Sequence, residues 1–533
     1  MTFRELLDTL TRPQRYNRRA ASLVLICFIV GMSILQGPTT ISSADEPISP
    51  LPGEQPKPTP IFIPLQSGEL EKLNSAVQSA VRKSPVRIKA VTGIHHVNID
   101  EKLIASLAPG SLTTGVSFQL SKEGPPVTVD TDRLEQSSTG TLKWDAHVRG
   151  DPNSSVHFIV DRKANSLFGD IRVRGLLFEI RPIGSGPHTI YTLDLKKLPP
   201  DHEPRKHKPP IGDVEHDPKT LHLPPASYDV RPGTDKGVIT PVELVLRPYV
   251  AEEVHTEQKD AILVGSPEID VMVLYTTRAA KMAEKIGTEI CFAIDQVRRS
   301  FVNSGVQARI RLVHSSELDY NESAYTDPNR LGNLNLISQN IRELQRIKEL
   351  RDQHGADVVS FWVSDNIGGG VACGLSPTIE FPPKLDMNPA AYSVVLRSCA
   401  TAKLSFAHEL GHLFGAKHDR FEGLAGLAID STSYNWGYVN PDKDWRTIMA
   451  YPRKDCKGTC VRLEYWSNPT VFHKGDATGR PRTVTPAGCK SKNDDPSKCD
   501  GPAHDTLALN EAAKTLAMFR ESKHPSGNEI CAP

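Results

Sequence analysis

The run His408-Glu409-Leu410-Gly411-His412, followed by Gly415 and His418, constrains this chain more than any other stretch. Four residues advance an α-helix by about 400°, so His408 and His412 leave one face a turn apart, with Glu409 about 100° round from them. Gly415 lies where the helix must stop if the chain is to turn back, because glycine takes a positive φ without steric cost. His418 is then carried back towards the first two imidazoles. Three nitrogens on one ion leave a fourth position open, which is the ligand count of a catalytic rather than a structural zinc site. Glu409 stands beside that ion without displacing a histidine, placed to take a proton from water. A chance copy of the five-residue core on an unrelated helix is the competing reading, and Gly415 with His418 argues against it.

The rest of the chain sets the context. At 533 residues it is too long for one ordinary core, so two or more domains are expected. Lys plus Arg and Asp plus Glu number 63 each, a balance that argues against nucleic acid or an anionic membrane as partner. Near the N-terminus Arg4, Arg12, Arg15, Arg18 and Arg19 precede an uncharged stretch from Ala20 to Leu35, then Gly37-Pro38 and the small residues Ser42-Ser43-Ala44. Basic, apolar and small, in that order, reads as a secretory signal over residues 1–44. An uncleaved membrane anchor is the alternative, but the apolar stretch is short of the ~20 residues a spanning helix needs. The expected location is therefore extracellular or periplasmic, with no stable membrane association after signal cleavage.

Cysteine placement agrees with export. Cys27 lies inside the signal, and the other eight are Cys291, Cys373, Cys399, Cys456, Cys460, Cys489, Cys499 and Cys531. An even number in an oxidising compartment suggests four disulfides, although eight cysteines allow about 105 pairings and spacing does not choose among them. None falls between Ala44 and Ile290, so the bridges belong to a C-terminal domain.

Composition divides the remainder. Residues 45–85 are Pro-rich (Pro47 through Pro64) and expected to be extended and poorly ordered. Residues 86–198 carry short β-type runs such as Val156-His157-Phe158-Ile159-Val160 and Leu176-Leu177-Phe178-Glu179-Ile180, a β-rich domain without a catalytic constellation. Residues 199–265 form a linker rich in Pro, His and charge, beginning Pro199-Pro200-Asp201-His202-Glu203-Pro204. Over residues 266–523 strands alternate with helices, which predicts an α/β domain, and 524–533 is a tail. Met282, Ile286, Ile290, Ile294, Val297 and Phe301 predict one helix stopped near Gly305. Ile337, Ile341, Leu344 and Ile347 predict a second, and Leu507 to Phe519 a terminal one.

His-Glu-x-x-His-x-x-Gly-x-x-His is the metzincin signature, and residues 408–418 resemble that clan without a mismatch. The clan also has a methionine turn beneath its metal, which Arg446-Thr447-Ile448-Met449-Ala450-Tyr451 resembles. Asp419, directly after the third histidine, resembles the reprolysin (adamalysin) branch. Tyr451 departs from it, since reprolysins usually carry proline there, whereas astacins and serralysins place a zinc-reaching tyrosine. Tyr434-Asn435-Trp436-Gly437-Tyr438-Val439-Asn440-Pro441 and Tyr465-Trp466-Ser467-Asn468-Pro469 are similar to secreted bacterial reprolysin-like enzymes related to peptidyl-Asp metalloendopeptidase. Gly169-Asp170-Ile171-Arg172 and Ile180-Arg181-Pro182 look like that group's prosegments. The resemblance implies an α/β metzincin catalytic domain with a mixed sheet and a zinc cleft, preceded by a β-rich prodomain.

It further implies one catalytic Zn2+ on His408, His412 and His418, with Glu409 as general base in peptide hydrolysis. Protein or peptide substrates follow, and cleavage beside acidic residues would need a basic pocket that spacing does not locate. Tyr451 is expected to approach the zinc and to hydrogen-bond the oxyanion; a plain core tyrosine is the alternative. Gly368-Gly369-Gly370-Val371-Ala372-Cys373-Gly374 is expected near the edge strand that pairs with substrate. A prosegment cysteine cannot block the metal, so latency would use Asp, Glu or His, with His202, Asp213, His216 and Asp217 as candidates, or simple occupation of the cleft. Asn493-Asp494-Asp495 and Asp500 offer oxygens for Ca2+, with a hydrated loop as the plainer reading. The competing function is a catalytically silent binding or adhesion protein on the same scaffold, against which all four site residues are intact.

Overall fold

Alternation of apolar and polar residues builds strands in the first half, and a 3.6-residue period builds helices in the second. The structure, a computed structural model, describes residues 59–65, 89–108, 115–136, 140–151, 153–183, 187–201, 265–326, 333–367, 372–424, 433–486, 499, 501–524 and 530–531. The signal segment, the linker candidates His202, Asp213, His216 and Asp217, the glycines 368–370 and the acidic run Asn493-Asp494-Asp495 with Asp500 lie outside them. Among the described residues no helix is long and apolar enough to cross a membrane.

The β-rich segment forms one ten-stranded sheet. From Val116–Phe118 to His188–Asp194 it is an antiparallel meander, closed by Val91–Ile99 and Phe62–Pro64 at one edge. Thr59–Pro60 pairs in parallel with Val116–Phe118 at the other. Pro60 and Pro64 thus lie in edge strands, where a residue lacking an N–H costs no ladder bond; the expectation of a poorly ordered segment stops short of them. Phe118, Trp144 and Phe158 meet at ring-centroid distances of 5.4–5.9 Å in the core of the sheet. Trp144 keeps its indole N–H satisfied on Thr131 Oγ1 at 3.0 Å.

The second half is built on a five-stranded sheet in the order Arg309–Leu318, Glu268–Thr276, Val358–Val363, Tyr392–Leu396, Gly374–Leu375. The first four are parallel and Gly374–Leu375 is an antiparallel edge. Helix Ile286–Ser304 packs Ile290, Ile294, Val297 and Phe301 into the same cluster as Leu410 and Leu413. It stops at Gly305, φ +73°. Met282 belongs to a separate short helix, Thr277–Met282, because Ala283 and Lys285 are extended. The second expected helix is likewise two, Asn333–Glu343 and Gln345–Gln353, with Leu344 extended between them. On one continuous helix Ile341 and Ile347 would point about 120° apart; with the break both lie in one core cluster.

Disulfides join Cys291 to Cys531, Cys373 to Cys399 and Cys456 to Cys460, and Cys499 is bonded as well. The β-rich unit is held to the second half by polar and apolar contacts. Arg172 donates to the carbonyls of Thr401 and Ala402 at 2.6 and 2.7 Å. His157 stands between Asp145 Oδ1 (2.9 Å) and Glu464 Oε2 (3.1 Å). Phe168 meets Phe292 edge-on at 5.6 Å, and Tyr191 donates to Glu284 at 2.9 Å.

Candidate metal and catalytic site

The helix Ser405–Leu413 carries the first two histidines and is buried throughout. Its end is a Schellman turn: Ala416 N–H donates to Gly411 O and Gly415 N–H to His412 O, each at 2.9 Å. Gly415 has φ +83°, and a Cβ there would also lie 3.1 Å from Ile379 O. The turn leads into Lys417–Asp419, which pairs with Trp436–Gly437 and returns His418 to the helix.

The three imidazoles converge. One ligand atom from each of His408, His412 and His418 lies within 4.8 Å of the others. Ring centroids are 4.8 Å apart for His408–His412, 5.2 Å for His408–His418 and 4.6 Å for His412–His418. His408 Nδ1 lies 3.0 Å from Ile448 O, and His412 Nδ1 lies 2.9 Å from Ala416 O. A carbonyl only accepts, so each Nδ1 carries the proton and each Nε2 keeps its lone pair. His408 Nε2 is buried with no hydrogen-bond partner. A buried ring nitrogen left unsatisfied beside two further imidazoles is what a bound metal ion would satisfy, and an all-imidazole set suits zinc. Burial, then the neighbouring His412 and Arg462, hold His408 well below its usual pKa and so in the neutral, ligating form.

Met449 lies under this helix. Ala450 N–H closes a turn on Thr447 O at 3.2 Å, and the Ile448 carbonyl that receives His408 is part of it. A Cβ on Gly411 would fall 2.6 Å from Met449 Sδ and 2.5 Å from Trp466, so the helix backbone rests directly on both. Asp419 ties the third-histidine strand to this turn. Its Oδ2 accepts from Tyr451 N–H at 3.0 Å, and its Oδ1 accepts from Glu422 N–H at 3.2 Å.

Glu409 is buried beside the triad. Ser376 Oγ lies 2.8 Å from Glu409 Oε2 and 2.9 Å from the Glu409 carbonyl. Burial pushes the Glu409 carboxyl up to about 8, with the Ser376 hydrogen bond pulling the other way. A Cβ at Gly374 would sit 2.5 Å from Glu409 Oε1, so the edge strand passes against the carboxylate at a distance only glycine permits. Tyr451 Oη is 3.1 Å from His418 Nε2, with ring centroids 4.5 Å apart. His408, His412, His418, Glu409 and Tyr451 are therefore in one place. Ser376 was not expected; it lies two residues past the glycine run, and nothing in its own neighbourhood in sequence marks it.

Residues 266–467 match the model of metallo-peptidase family M12. The chain is 29% identical over 340 residues to a peptidyl-Asp metalloendopeptidase of Stenotrophomonas maltophilia, covering 62% of this chain and 66% of that one. It is 26% identical over 344 residues to one of Xanthomonas campestris pv. campestris, covering 63% and 67%. The matches thus span about two thirds of the length of these relatives. Among solved structures, metalloproteinase-II from Bacteroides fragilis aligns at 11% identity over 65% of this chain and 85% of that one. Its TM-score is 0.26. Residues 266–467 thus carry a metallopeptidase domain of the family M12 kind, similar to relatives named metalloendopeptidases.

Proposed function

We propose that the protein is an exported, zinc-dependent endopeptidase in which His408, His412 and His418 hold the ion and Glu409 is the general base. The observation that carries this reading is the unpartnered, buried His408 Nε2 among three converging imidazoles, with Glu409 beside them. Zinc supplies Lewis-acid polarisation of a carbonyl and lowers the pKa of water to roughly 7. Glu409 takes the proton of the attacking water and returns it to the leaving amine. Burial favours the protonated carboxyl, whereas Ser376 and the charge of a bound zinc ion would favour the carboxylate, so Glu409 can serve in both directions. Tyr451 serves as an oxyanion donor, since burial raises its phenol well above 10 and keeps the donating hydrogen in place. The Gly374–Leu375 edge accepts an extended peptide by main-chain hydrogen bonds. The name of the two relatives specifies aspartate, and for this chain we expect cleavage beside acidic residues. The β-rich unit acts as a prodomain.

The test is hydrolysis of unfolded casein by purified protein, with and without a chelator, followed by zinc restoration. Glu409→Gln is expected to lower turnover by about 100-fold or more while retaining one equivalent of zinc. Chelator-insensitive cleavage would reject the reading.

A further inference from the structure

Asp201, at the end of the β-rich unit, lies in a pocket of buried cations. Arg462 grips its carboxylate with both terminal nitrogens, Nη2–Oδ2 at 2.8 Å and Nη1–Oδ1 at 3.2 Å. Lys403 Nζ is 3.2 Å from Oδ1, and Arg446 Nη2 is 4.0 Å from Oδ2. Asp201 is 6% exposed, and Arg462 Nε is buried with no hydrogen-bond partner at all. Burial, then the facing Arg462, pull Arg446 down to about 9; burial also lowers Lys403. Three like charges held out of water are costly unless an anion compensates them.

This pocket adjoins the catalytic residues. Arg446 and Arg462 both donate to the carbonyl of Ala450, the residue between Met449 and Tyr451. Lys403 stands two residues before the helix that carries His408. The segment leading to Asp201 is bonded through its carbonyls on both sides of the candidate site. Pro200 O accepts from Cys373 N–H at 2.8 Å, directly before the edge strand Gly374–Leu375 that passes against Glu409. Pro199 O accepts from Lys403 Nζ at 2.7 Å. Residues 199–201 therefore bond through the main chain to the residue before the candidate edge strand and place a carboxylate among buried basic side chains. The domains are fastened elsewhere by Arg172 and His157, so this cluster is not needed merely to dock them.

The geometry points to Lys403, Arg446 and Arg462 as the specificity pocket for an acidic side chain of the substrate, plugged in the full-length chain by Asp201 as a substrate mimic. This rests on the endopeptidase reading above and adds which residues select the substrate and what blocks them.

The full-length chain tests it. Asp201→Ala is expected to hydrolyse a peptide bearing one aspartate at least about tenfold faster than the wild type, and to prefer it at least about tenfold over the asparagine counterpart, as loss of charged hydrogen bonds implies. Adding Lys403→Ala should reduce that preference at least about tenfold, read as the ratio of the two kcat/KM values, with zinc content unchanged. In the non-hydrolysing Asp201→Ala, Glu409→Gln chain, the aspartate peptide should raise Tm and the asparagine peptide should not. If Asp201→Ala does not fold, Asp201→Asn is measured in the same way. Equal rates on the two peptides, or a folded Asp201 variant no more active than the wild type, would overturn the proposal. Absence of any chelator-sensitive hydrolysis alongside a selective Tm shift would instead reject the peptidase reading and leave the pocket standing.

Discussion

Ser376 holds Glu409 at two points, its hydroxyl lying 2.8 Å from the carboxylate and 2.9 Å from the main-chain carbonyl of the same residue. The contact favours the ionised carboxylate against the burial that pushes it up to about 8. Ser376→Ala removes the opposing influence, so the acidic limb of the kcat/KM profile should move to higher pH and the maximum should fall several-fold. An unmoved limb in a folded variant would remove Ser376 from the mechanism.

Gly374 passes so close to Glu409 that a methyl group meets Oε1 at 2.5 Å and Cγ at 2.7 Å. Gly374→Ala must displace either the edge strand or the carboxylate. A shift of this size in a catalytic group costs on the order of 100-fold in rate. We expect that loss in kcat/KM, with zinc content and far-ultraviolet circular dichroism as in the wild type. Retained activity would show that the strand moves freely.

Tyr451 offers a separable test, because its hydroxyl is 3.1 Å from His418 Nε2 while its backbone N–H is held by Asp419. Tyr451→Phe keeps the ring and the backbone bond. It should lower kcat by about 100-fold or more, with little change in KM and only a small change in Tm. Wild-type kcat would reduce Tyr451 to a packing role.

His157 links the two halves by charge. Burial and Arg299 disfavour its protonation, but Glu464 and Asp145 outweigh them and raise it to about 9. A raised folded-state value contributes stability that is fully present below the unfolded value of 6.5 and is lost as pH rises through about 9. The Tm of the full chain should therefore fall across that window, and His157→Gln should flatten the dependence. A wild-type Tm insensitive to pH there would count against a charged His157.

The site was largely legible from the sequence because its logic is local. His408, Glu409, His412 and Gly415 are placed by helical rotation and one glycine turn, which spacing determines. The runs Val156–Val160 and Leu176–Ile180 were equally plain, and they lie within strands Ser155–Asp161 and Leu176–Pro182. What was missed depends on contacts distant in sequence. Ser376 reaches Glu409 across 33 positions, and Asp201 reaches Arg462 across 261. The breaks at Ala283 and Leu344 were also hidden, since the apolar spacing on either side still fits one helix.

The way Asp201 is held also separates two events that are easily taken for one. Its carboxylate is bound by Arg462 of the metallopeptidase domain, and Glu268–Thr276 begins that same domain after residues 202–264. Both ends of the intervening stretch are thus moored to one body. Among the described residues, every assigned disulfide lies between Cys291 and Cys531, and none ties that body to the β-rich unit. A nick between 202 and 264 therefore converts a tethered plug into a noncovalent one. Release becomes a matter of dissociation rate, and a doubly banded gel need not mean an open cleft.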